Sequence, residues 1–253
     1  MKADPLKRFS NRVDNYVKYR PSYPPAVVEY LTKKCSLNED SVVADIGSGT
    51  GIFSKLLLEH RFNVYGVEPN DAMRKRAEHD LKQYKKFASI NGTAEDTTLP
   101  AGSIDLVVCA QAFHWFCNAE TQKEFKRILK PQNCAALLWN NRQTDADAFA
   151  TAYELLLKEK SPDYSEVNHK NLTETDFVGF FKDGKYSTAK YANVQVFDFD
   201  ALRGRAFSSS YVPPEDTDEG QLFLSALHDI FDQYQVKGKV KFTYQTEVYL
   251  GEV

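Results

Sequence analysis

No apolar run in the 253 residues approaches the roughly 20 that a helix needs to cross a bilayer, so no membrane span is expected. The opening stretch, MKADPLKRFSNR, has none of the apolar core of a signal peptide, and a cytoplasmic location is the expectation. Surplus positive charge is missing as well. Lys and Arg number 32 against 35 Asp and Glu, a net charge of -3, without the basic footprint of a nucleic-acid binder. Cysteine is scarce. Cys35, Cys109, Cys117 and Cys134 are 74, 8 and 17 residues apart and form no CxxC pair, which points to reduced, mostly buried thiols and to no metal site. Internal repeats and low-complexity tracts are absent too. What is present is ordinary for a globular enzyme: 42% hydrophobic and 26% charged residues, in a chain long enough for one α/β domain with an insertion.

Residues 42–51 read VVADIGSGTG. An apolar, β-branched run of this kind is a buried parallel strand. The glycines at 47, 49 and 51, with Ser48 and Thr50 between them, then make a tight turn that a ligand can approach closely before a helix over Ile52 to His60. A second apolar strand, Asn63 to Val67, ends in Glu68, about 20 residues on, where a carboxylate accepts hydrogen bonds from both hydroxyls of a ribose. The ligand is therefore expected to be a nucleoside. The turn is GxGxG and lacks the last spacing of a dinucleotide GxGxxG, which disfavours a nucleotide-dependent oxidoreductase. Asp45, two residues ahead of the first glycine, would repel a diphosphate and suits a cationic amino-acid tail.

The remaining pattern alternates strand and helix. Pro24 and Pro25 open a helix to about Lys34. A helix over Asp71 to Gln83 has Asn70 as its N-cap. Strands follow at Phe87 to Asn91, Ile104 to Ala110 and Cys134 to Trp139, with a helix from Ala119 to Leu129 that Pro131 stops. Five β/α alternations predict a doubly wound sheet with right-handed crossovers and helices on both faces. Residues 140–190 are polar, with one helical run near Ala146 to Glu159 and a loop-rich remainder. They read as a lid inserted into a single domain spanning 1–253. Tyr191 to Phe199 and Lys241 to Leu250 are expected strands around a helix over about Glu215 to Gln235.

DIGSGTG with Glu68 closely resembles the first motif and the ribose acid of class I S-adenosylmethionine-dependent methyltransferases. AQAFHWF at 110–116 is similar to the type 11 methyltransferase family, particularly its branch related to trans-aconitate methyltransferase. The resemblance implies a Rossmann-like, seven-stranded α/β fold closed by an antiparallel strand pair, with residues 1–40 forming an N-terminal cap segment. It also implies S-adenosyl-L-methionine as cofactor. Asp45 would then attract the methionine ammonium or polarise the glycine loop, and backbone groups at Gly47 and Gly49 would meet the methionine end. Ser48, Gly51 and Pro69 would line the same cleft around the Glu68-held ribose. Ala94 and Glu95 would flank the adenine, and Gln111 and Ala112 would border the methionine. His114 and Trp115 would face the acceptor. From the N-terminal FSNRVDNYVKYRPSYP, Tyr16 or Tyr19 would close over the methionine, with Arg20 meeting a carboxylate.

His114 has two readings, a proton acceptor with a pKa of about 6.5 or a residue that only orients its loop. Ser210 and Tyr211, in AFSSSYVP, are candidate acceptor-pocket residues. The (N/D)PP(Y/F) motif of amide and ring-amine methylation is missing after the fourth strand. A small-molecule acceptor is the expectation, and Arg20, Arg142, Arg203 and Arg205 are the cationic anchors available to a carboxylate, in a protein without nucleic-acid or membrane partners; a monomer is plausible, and the sequence leaves the oligomeric state open. A non-catalytic nucleoside-binding protein on the same fold stays open as the alternative.

Overall fold

The computed structural model describes residues 18–162, 164 and 172–253. Pro24 and Pro25 lead into α1 (Pro25–Lys34), which buries Val27, Val28 and Leu31. β1 (Val42–Ile46) is almost wholly buried, as a strand covered on both faces must be. It runs through the glycine turn into α2 (Ile52–Glu59). β2 (Asn63–Val67) follows, then α3 (Asp71–Leu81), whose N-cap Asn70 accepts from the Met73 amide. β3 (Phe87–Ile90), β4 (Ile104–Ala110) and α4 (Ala119–Ile128) complete the alternation.

The seven strands lie in the order β3-β2-β1-β4-β5-β7-β6. β1 to β5 are parallel, and β7 (Val240–Glu252) runs antiparallel between β5 (Leu129–Arg142) and β6 (Ser187–Phe197). The strand order reverses between β1 and β4, which is where open α/β sheets bind ligands beyond their carboxyl ends. Alternate residues of each strand supply opposite faces. Val43, Leu106 and Val108 pack with α1 and α2. Ala44, Ile46 and Val107 pack with Phe125 and Ile128 of α4 and with Phe177 and Phe180 of α6 (Glu174–Phe180). Two apolar faces clamp one sheet.

Several elements differ from the sequence expectation, each for a physical reason. The break at Pro131 is an irregularity inside β5, where the pairing with β4 jumps from Leu129 to Cys134 and Gln132 adopts a φ of 69°. Two helices were not expected. α6 lies in the stretch read as loop, and its Thr173–Asp176 capping box was the signal for it. α7 (Phe199–Phe207) starts at Asp198, whose side chain accepts from the Ala201 amide, but its apolar pattern is too mixed to mark a helix face. β6 begins at Ser187 because its whole length pairs with β7. α5 (Ala148–Lys160) buries Phe149, Tyr153 and Leu157 in a third cluster with Leu202 of α7, Phe223 and Leu227 of α8 (Asp218–Tyr234) and Phe242 of β7. This core is pooled from both sides of β6 and stands over the carboxyl end of β5. All four cysteines are free thiols, Cys109 buried and the others half-buried. Among the described residues no helix is long and apolar enough to cross a membrane.

Candidate active site

A cavity of about 510 Å3 opens where β1, β2, β4 and β5 end, and it continues beneath the third cluster. Its floor is the glycine turn. Gly47 has a φ of 68°, and a Cβ on it would lie 2.6 Å from the Cβ of Ala112 at the tip of β4. No residue with a side chain fits there. Within the turn, Gly47 and Ser48 donate their amides to the Val67 carbonyl at 2.9 and 3.1 Å, and Gly49 donates to Glu68 Oε2 at 2.9 Å. These amides are spent in stapling the turn to β2, so of the backbone groups expected to meet the methionine end the N–H groups of Gly47 and Gly49 are engaged within the protein, and the glycines contribute space. Gly51 is not among the cavity-lining residues. With a φ of 81° it caps α2, and a Cβ there would lie 2.7 Å from Leu81 of α3.

Two carboxylates govern this end. Asp45 is 1% exposed; its Oδ2 accepts from Ser54 Oγ at 2.6 Å. Its Oδ1 is buried without a hydrogen-bond partner among the described residues. Burial pushes the Asp45 pKa up to about 7, Ser54 opposes the rise, and the nearby Glu68 charge adds to it. Such a group calls for a cation or a donor from a ligand. Glu68 is 7% exposed. Its two oxygens each take one amide, from Gly49 and, at 2.8 Å, from Asn70, leaving each a further lone pair. Burial raises its pKa, with those two amides and Arg74 pulling against it. Arg74 braces the turn by donating to the Glu68 carbonyl at 3.0 Å and to Asn91 Oδ1 at 3.2 Å.

Pro69 and Ala94 line the cavity beside Glu95, whose Oε1 accepts from Asn118 Nδ2 at 2.9 Å. Across from them, Gln111 adopts a φ of 60°. Its amide donates to the Leu138 carbonyl at 2.8 Å and its side chain to the Asn140 carbonyl at 3.2 Å, which aims the β4 tip over the turn. His114 and Trp115, on a 3-10 turn, also line the cavity. Trp139 Nε1 approaches His114 Nδ1 at 3.5 Å, the outer limit of a hydrogen bond. An indole N–H only donates, so Nδ1 is the acceptor in this contact.

The far end is cationic and phenolic. Arg142, at the end of β5, donates from Nη2 to Glu154 Oε2 at 2.6 Å and to the Tyr164 hydroxyl at 3.3 Å, and its guanidinium lies 4.9 Å from the Tyr153 ring centroid. Arg205 of α7 is 7% exposed and donates from Nη1 to Ser209 Oγ at 3.1 Å. Arg20 donates from Nη2 to the Ser208 carbonyl at 3.2 Å. Ser210, Tyr211 and Tyr244 complete this wall. At Tyr211 burial disfavours a phenolate, yet Arg205, Arg20 and Arg142 outweigh it and hold the phenol below its ordinary pKa.

Two further expected residues, Tyr19 and Arg203, stand elsewhere. Tyr16 lies outside the described residues. Tyr19 is not among those lining the cavity; its ring packs so closely on Gly204 that a Cβ there would collide with it, and its carbonyl accepts from Gln195 Nε2 at 3.1 Å. Arg203 points away from the cavity and pairs with Glu215. The sequence had no signal for Asn140, Tyr164 or Tyr244. They come from β5, from beyond α5 and from β7, and only the sheet order brings them together.

Residues 44–136 match the methyltransferase domain family. The chain is 28% identical over 254 residues to an uncharacterized methyltransferase-like protein of Schizosaccharomyces pombe, covering 98% of this chain and 96% of that one. It is 36% identical over 110 residues to a probable S-adenosylmethionine-dependent methyltransferase of Saccharomyces cerevisiae, covering 42% of this chain and 37% of the relative. In fold it is similar to a putative type II methyltransferase from Anaeromyxobacter dehalogenans, with a TM-score of 0.68 at 21% identity over 92% of this chain and 98% of that one. The orphaned Asp45 oxygen, the Glu68 carboxylate and the cradle beneath Ala112 fit a nucleoside that carries an ammonium group. With the methyltransferase domain match over residues 44–136 and the relative similar along the whole chain, they support an S-adenosylmethionine-dependent methyltransferase, with S-adenosylmethionine as its cofactor.

Proposed function

We propose that this methyltransferase acts on a small carboxylic acid and makes its methyl ester. The observation that carries the reading is the charge at the far end of the cavity. Arg20, Arg142 and Arg205 line it; Arg142 pairs with Glu154 at 2.6 Å, and Arg205, 7% exposed, donates to the Ser209 hydroxyl. An acid entering there meets guanidinium charge in a site of low dielectric. His114 supports the same reading. With Nδ1 turned to the Trp139 indole, its ring is poorly placed to take up a proton, and a carboxylate has none to give.

When bound, the cofactor supplies a methyl on a positively charged sulfur; the methyl leaves sulfur and bonds to a carboxylate oxygen, giving a thioether and an ester with no proton released. The chain's own residues position and exclude. Asp45 Oδ1 takes the ammonium, Glu68 the ribose hydroxyls, and Ala94 with Glu95 the adenine. Gln111 and Ala112 border the methionine, while His114 and Trp115 bound the space between the two ends. Holding nucleophile and methyl at about 3 to 3.5 Å with water kept out supplies most of what such a reaction needs. The reading takes the whole chain as one domain, with residues 1–40 as its cap and 140–190 as a lid, of which Glu154 and Tyr164 serve the acceptor wall.

The test is transfer from methyl-labelled S-adenosylmethionine to a panel of small acids, amines, phenols and thiols. The reading expects label in acids only, released by mild alkali as esters are. Label confined to amines or phenols overturns it, and stabilisation by NAD but not by S-adenosylmethionine overturns the cofactor assignment with it.

A further inference from the structure

The antiparallel strands run past the end of the parallel sheet. β4 stops at Ala110 opposite Leu138, while β5 pairs on with β7 as far as Arg142 opposite Tyr244, and residues of this overhang line the cavity. Asn140, 5% exposed, stands at its base. Its Oδ1 accepts from Thr246 Oγ1 at 2.5 Å and from Asn193 Nδ2 at 3.2 Å, and its Nδ2 donates to the Ser22 carbonyl at 3.3 Å. A carbonyl only accepts, so the amide nitrogen is the atom that must face Ser22. The Asn140 backbone carbonyl takes the Gln111 side chain at 3.2 Å. One buried residue thus joins β5, β6, β7 and the tip of β4 to a segment 118 positions earlier in the chain.

That segment, residues 21–24, belongs to no helix or strand. With Arg20 before it, it supplies Pro21 and Tyr23 to the cavity wall, and the Tyr23 ring meets Phe53 of α2 edge-on at 4.9 Å between centroids, beside the glycine turn. Side-chain amides hold its backbone. Asn193 Nδ2 donates to the same Ser22 carbonyl at 2.8 Å, and Gln195 Nε2 to the Tyr19 carbonyl at 3.1 Å. Of these three amides only that of Asn140 is buried, where a hydrogen bond is electrostatically stronger than in water. We propose that Asn140 is a positioning residue of the cofactor cavity: acting through the Ser22 carbonyl, it fastens residues 20–23 as a wall that a bound nucleoside must displace in order to leave. Its effect falls on the dissociation rate, the quantity that most changes to a binding site alter. This needs only the cofactor in the cavity, and the ester reading stands or falls separately.

The experiment measures association and dissociation of S-adenosylhomocysteine with the full chain by stopped-flow tryptophan fluorescence, since Trp115 lines the cavity. Asn140→Asp keeps an acceptor for Thr246 and Asn193 but sets a carboxylate oxygen against the Ser22 carbonyl. Dissociation is expected to quicken about tenfold while association stays within about twofold. Trypsin should also cut the Lys18–Tyr19 bond faster in the same variant, read by mass spectrometry. Unchanged dissociation overturns the proposal, whatever the variant loses in melting temperature, in binding-competent fraction or in protection at Lys18. Faster dissociation with that bond as resistant as before overturns it too, because Asn140 would then act without the segment. If Asn140→Asp does not fold, Asn193→Ala removes the other donor from the same carbonyl and is expected to quicken dissociation about threefold. Unaltered rates in that variant count against the proposal in the same way.

Discussion

In the proposed reading Glu68 serves structure and ligand together. It collects the Gly49 and Asn70 amides, so the glycine turn and the start of α3 are held in register around the oxygens that a ribose would meet. Glu68→Ala removes charged hydrogen bonds worth about 1.5–3 kcal/mol, and cofactor affinity is expected to fall about tenfold or more in a calorimetric titration. Unchanged affinity would remove Glu68 from the site. His114 carries a different expectation. As a positioning residue, His114→Gln lowers kcat at saturating cofactor but leaves the shape of the pH–rate profile between pH 5 and 8 as it is, whereas loss of an inflection near 6.5 would make the histidine a base.

At the scale of elements, the parallel half was legible because each strand is a near-continuous apolar run bounded by glycine, proline or a capping residue. β1, β2 and β4 lie where VVADI, NVYGV and IDLVVCA stand. The carboxylate end of the cavity was legible with them, since Asp45, Gly47 and Glu68 all sit at the tips of those strands and line it. The arginine end was not. α7 has a weak apolar stripe, and Arg205 is indistinguishable by sequence from Arg203 two residues earlier. Packing separates them, one against the cavity and one against Glu215. The third cluster carries its own prediction. Phe223 of α8 is fully buried there, and Phe223→Ala is expected to cost about 3–5 kcal/mol in urea unfolding. Because the cluster walls the acceptor end, acid binding should suffer well before S-adenosylmethionine binding. Equal losses of both would mean that the two ends do not rest on separate cores.

For the whole molecule the governing feature is one cavity with opposite charge at its two ends, acidic where the proposed reading puts the cofactor's ammonium and cationic where it puts the acceptor. The acidic end makes stability depend on pH. Asp45 ionises near 3.8 in an unfolded chain and near 7 in the folded one, so the folded state holds the proton that the unfolded state has lost. Its contribution to stability is therefore present below about pH 4 and is lost progressively as pH rises through 7. The melting-temperature difference between the ligand-free chain and Asp45→Asn should shift in the variant's favour over that interval, while S-adenosylmethionine affinity in the unaltered chain rises over it as the ammonium gains its counter-charge. A difference that stays constant across the interval would mean that Asp45 does not titrate there.

The most direct measurement is a crystal structure of the chain with S-adenosylhomocysteine and a small carboxylic acid together. The account places the ammonium on Asp45 Oδ1, the ribose on Glu68, and the acid at the arginine end of the cavity with a carboxylate oxygen facing the sulfur. A nucleoside bound away from Glu68, or an acid bound outside the arginine end, would contradict it.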